Sequence, residues 1–144
     1  MNILGPLIIL APVLVALYLC EWQVVIAFFI AILIVPFIFI FLIDLFQQKP
    51  MGFNGVLETG FMFFIIGIPL YFILILPIYY ILKSTSMPMI YSFPASVSVI
   101  MLITYTFITT KPWDFKTALV VIACSVVHAY FIIWLISKFK AITF

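Results

Sequence analysis

Residues 117–137, TALVVIACSVVHAYFIIWLIS, decide the fold. The run is apolar from end to end, with Lys116 before it and Lys138 and Lys140 after it. Its roughly 21 residues make about 31 Å of helix, which matches a bilayer hydrocarbon core of about 30 Å. The one histidine of the chain, His128, lies about twelve residues beyond Lys116, so roughly 18 Å in and close to the bilayer midplane. An ionisable side chain at that depth marks a functional site or a hydrogen bond between helices.

The rest of the chain agrees on the solvent. Of its 144 residues, 69% are hydrophobic and 7% charged, and no water-soluble fold could hide that much apolar surface. We expect an all-α, polytopic transmembrane bundle that forms a single integral membrane domain over residues 1–144. The expected location is a bacterial inner membrane. All six basic residues are lysine, so the planar fork that binds phosphate and nucleic acid is missing, and the net charge of +2 is spread over several loops. Nucleic acid is therefore excluded as a partner, and no lysine cluster points to anionic lipid.

Outward from the last span, four more apolar stretches suggest crossings at about 3–19, 24–43, 60–82 and 87–108. The first two form a tight hairpin broken only by Glu21, Trp22 and Gln23, with Tyr18 and Trp22 as interfacial aromatics. A cleaved leader is not expected, because Met1-Asn2-Ile3 lacks a positive n-region and no small residues precede Cys20. Residues 47–59 read as a loop through Lys49-Pro50, Gly52 and Asn54-Gly55, with Phe53 and Leu57 suited to the interface. Residues 84–110 are the ambiguous part. With Pro88 and Pro94 they make either a kinked fourth crossing or a re-entrant or interfacial segment, which leaves four crossings. Residues 109–116 form an interfacial turn with Trp113 as anchor and Asp114 at a helix N-terminus. Lysine bias does not orient the bundle, since Lys49, Lys111 and Lys116 balance Lys83, Lys138 and Lys140.

Prolines within spans remove helical donors. Pro69 and Pro77 should free the carbonyls of Ile65 and Ile73, and Pro36 that of Ile32. A kinked span is the ordinary result. Broken helices also build binding sites in transporters. Small residues one turn apart allow close helix approach at Ala27 and Ala31, at Ser92 and Ser96, and at Ser125 and Ala129. In the last span Cys124, Ser125 and His128 form a small polar stripe beside that packing face. Its simplest role is to bond a neighbouring helix, with Thr104, Tyr105 or Thr106 as available partners. His128 is expected to face protein and to stay neutral, because a lipid-facing imidazole would leave ring nitrogens without partners in hydrocarbon.

Catalytic readings lack their parts. Glu21, Asp44, Glu58 and Asp114 fall at span ends or in loops, away from Cys124 and His128, so no nucleophile, base and acid come together. No Cys/His spacing suits a metal, and haem ligation would need a second histidine. The two cysteines, Cys20 and Cys124, sit at different depths and are not expected to bridge. We therefore expect no enzyme activity, no cofactor and no metal. By subtraction, the first functional reading is intramembrane contact with lipid, another membrane protein or itself, as an accessory subunit or an immunity-type protein that blocks a pore-forming partner. The alternative is a small transporter or channel subunit that works as an oligomer.

Overall fold

A computed structural model describes residues 3–46, 50–108 and 114–142. Among them the chain is helical almost throughout: α1 (Leu4–Leu19), α2 (Trp22–Phe46), α3 (Gly52–Leu70), a π turn (Tyr71–Ile75), α4 (Leu76–Ser84), α5 (Met89–Ile108) and α6 (Phe115–Ile142). Four helical stretches are long and apolar enough to cross a membrane: Trp22–Leu42, Gly52–Ser84, Met89–Phe107 and Phe115–Ala141. The shorter apolar helix is α1, whose 16 residues reach about 24 Å. Residues 84–110, where the sequence allowed a re-entrant segment, contain a helix of crossing length instead, because Pro88 precedes α5 and Pro94 is absorbed within it.

The helices fall into two compact units, Met1–Ile73 and Leu74–Phe144. In the first, α1, α2 and α3 pack against one another. Helix α2 supplies the core along one face: Val24, Ala27, Phe28, Ala31, Ile32 and Val35 recur at three- and four-residue intervals, and all are buried. Phe28 meets the rings of Tyr71 and Phe72, with centroids 6.4 and 6.2 Å away, and Phe29 meets Phe64 edge-on at 5.6 Å. At Gly60 the two helices come so close that a Cβ would run into the ring of Phe37. The α1–α2 hairpin turns at Cys20, whose extended backbone ends α1, and the carbonyl of Glu21 then accepts the amides of Val24 and Val25.

The α2–α3 connection is shorter than the sequence suggested. Helix α3 begins at Gly52, and Asn54-Gly55 lies in its first turn instead of a loop. At the start of α3, Gly52 has φ 78°, a left-handed conformation that glycine adopts at little cost. Asp44, buried near the end of α2, accepts the amide of Met51 and ties the two helix ends together. Lys49 lies outside the described residues.

In the second unit α4 packs on α5, and α5 on α6. Tyr79 stacks edge-on against Phe93 at 5.6 Å. Helix α6 runs past the expected end at Ser137 to Ile142, so Lys138 lies on the helix, 6.0 Å over the Trp134 ring. At its start the amide of Lys116 donates to Asp114 Oδ1 at 3.4 Å, which places the carboxylate at the positive helix end. The expected anchor Trp113 lies outside the described residues.

Candidate functional site

The third span departs most from regular helix. Pro69 and Pro77 flank a five-residue π turn, Tyr71–Ile75. Proline at 77 offers no amide to the carbonyl of Ile73, so the α ladder has a gap immediately after the π turn. Burial gives a reason for the turn. Gly67, Tyr71, Ile75 and Tyr79 are buried at strict four-residue steps, as are Ile68, Phe72 and Leu76. Each four-residue step over-rotates a 3.6-residue helix by about 40°, so the buried face would drift, and the extra residue of a π turn takes up part of that drift. Ile73 and Leu74 face outward, Pro77 is exposed and Pro69 half-buried. Within the apolar 60–82 stretch the turn falls close to the centre.

The polar stripe of α6 lies on a buried face. Ser125 is 1% exposed, His128 3% and Ala129 0%, in line with Ile132, Leu135 and Ile136. Cys124, half-buried and a free thiol, lies one turn from His128. His128 is engaged within the molecule. The Ser125 hydroxyl donates to the carbonyl of Val121 at 2.6 Å on its own helix, so its proton is not used across helices. The hydroxyls of α5 behave alike: Ser92 donates to Pro88, Ser96 to Ser92, Ser98 to Pro94 and Thr106 to Leu102, each to the carbonyl four residues back. Thr106, named from the sequence as an available cross-helix partner, gives its hydroxyl proton to its own helix and keeps its oxygen as an acceptor.

A cross-helix bond falls on a pair outside those the sequence points to. Tyr130 of α6 donates its hydroxyl to the carbonyl of Ile90 in α5 at 3.1 Å. Pro94, four residues after Ile90, has no amide for that carbonyl. The sequence carries the signal, since Pro94 withholds the amide four residues after Ile90 just as Pro36, Pro69 and Pro77 do after Ile32, Ile65 and Ile73.

Of the three small-residue pairs, Ala27 with Ala31 and Ser125 with Ala129 are buried, and Ser92 with Ser96 is half-buried. No group of three or more His, Cys, Asp or Glu residues capable of holding a metal occurs among the described residues. The architecture defines a small multi-pass helical bundle of a membrane. Comparison with protein-family models, curated proteins and solved structures found no match.

Proposed function

We propose that the chain is a small transport subunit, a transporter or channel component that works as an oligomer. The observation that carries this reading is the interrupted third span. A helix that only anchors a protein gains nothing from two prolines and a π turn at mid-membrane depth, whereas transporters place irregular backbone there to line a binding site or pathway. Five helices this short enclose little volume, so the pathway forms between copies. The partners are then the bilayer and further copies of this chain, in a bacterial inner membrane. The protein is non-enzymatic in this reading.

The topology that goes with it has five crossings and termini on opposite faces. Helix α1 falls about 6 Å short of a 30 Å core, a mismatch that local bilayer thinning accommodates at modest cost. Reporter fusions at the two termini test this. Signals from opposite compartments support five crossings, and signals from one compartment remove α1 from the count.

Intramembrane contact, as an accessory or immunity-type protein, is the second reading. It depends on free helix faces, and two of the three small-residue faces suited to docking a partner are already used inside the chain. Reconstitution separates the two. Solute flux or conductance from purified protein in liposomes supports transport. Silent liposomes together with a specific membrane partner recovered in mild detergent support contact.

A further inference from the structure

We infer that Tyr71–Ile75 is a hinge, about which the two helical halves of the third span change their mutual angle. The span runs over 33 residues, Gly52–Ser84, or about 50 Å of helix against a core of about 30 Å, so it has length to spare for bending. Two prolines eight residues apart remove the amides that would lock Ile65 and Ile73 into the α ladder, and the π turn falls between them. The segments on either side are held differently. Helix α3 packs on α1 and α2, and α4 packs on α5. The grouping of helix contacts changes between Ile73 and Leu74, inside the turn. Within the turn Ile73 and Leu74 face outward, whereas Tyr71, Phe72 and Ile75 stay buried, Tyr71 and Phe72 against Phe28, so the bend opens on the outward pair while the buried three hold the pivot. A bend at this point exchanges a few backbone hydrogen bonds between i+4 and i+5 partners.

Only the purpose of the hinge, opening and closing a pathway, rests on the transport reading. Its existence is tested without any solute. Spin labels are placed at Phe63→Cys and Ile81→Cys in the full-length chain, with Cys20 and Cys124 replaced by alanine, and their distance distribution is measured in liposomes. Both positions are exposed. A second pair, Leu119→Cys and Ser137→Cys, has the same sequence separation on the proline-free α6 and serves as the rigid reference. We expect the 63–81 distribution to be at least about twofold wider than the 119–137 one. Pro77→Ala, at an exposed position, should bring it down to the reference width, and Pro69→Ala should narrow it independently. A 63–81 distribution no wider than the reference, or one left unchanged by both alanine substitutions, overturns the hinge. Neither result bears on flux, which the liposome assay decides separately.

Discussion

The hydroxyl of Tyr130 supplies to Ile90 the hydrogen bond that Pro94 removes, across 3.1 Å between α6 and α5. The substitution of one donor for another joins two helices where the proline alone would have left a carbonyl without its α-helical partner. Tyr130→Phe should therefore weaken the α5–α6 pairing by about 0.6 to 2 kcal/mol. Pro94→Ala returns the amide, so Tyr130→Phe in that background should cost clearly less. Reversible unfolding in mixed micelles measures both, and equal costs in the two backgrounds would refute the pairing.

Gly60 sets how closely α3 approaches α2. A methyl group there meets the Phe37 ring, and overpacking of this kind costs about 1–3 kcal/mol. Gly60→Ala should destabilise the first unit by that amount in the wild type and by little in a Phe37→Ala background. The same unfolding assay reads the difference.

Asp44 stabilises the turn into α3 as an acceptor for the Met51 amide, a role that needs an oxygen and not a charge. Asp44→Asn should retain most of the stability. Asp44→Leu leaves a donor unsatisfied in a partly buried site and should cost about 1–3 kcal/mol. If the two variants are equally destabilised in thermal unfolding, the charge itself matters and the capping role is wrong.

His128 sits on the buried face of α6. For a structural role, His128→Gln and His128→Asn should retain activity, because an amide still bonds within protein, while His128→Leu should weaken assembly. Size-exclusion profiles and flux measured on the same preparations decide it. Loss of flux in all three, with assembly intact, would assign the imidazole to the pathway instead.

Much of this architecture is legible in the sequence, for a physical reason. A helix surrounded by lipid must be apolar over its whole length, so residues 117–137, 24–43 and 87–108 declare themselves, and Glu21 marks the hairpin between the first two helices. Register is not written in hydropathy. Nothing in the composition of 60–82 distinguishes a π turn from α-helix, although Pro69 and Pro77 mark where the ladder must fail. Asn54-Gly55 looks like a turn in the sequence, whereas α3 begins at Gly52, at φ 78°, and takes that dipeptide into its first turn. Where a hydroxyl proton goes is not written in composition either: on a helix the carbonyl four residues back is always within reach, and Ser125 and Thr106 donate there.

The most direct test of the transport account is ion and small-solute flux from the purified protein in liposomes, measured across a series of protein-to-lipid ratios. The account predicts flux above that of protein-free vesicles, rising more steeply than in proportion to protein at low density, because copies must meet to form the pathway. Vesicles that stay tight at every density, while circular dichroism shows the inserted protein fully helical, would contradict it.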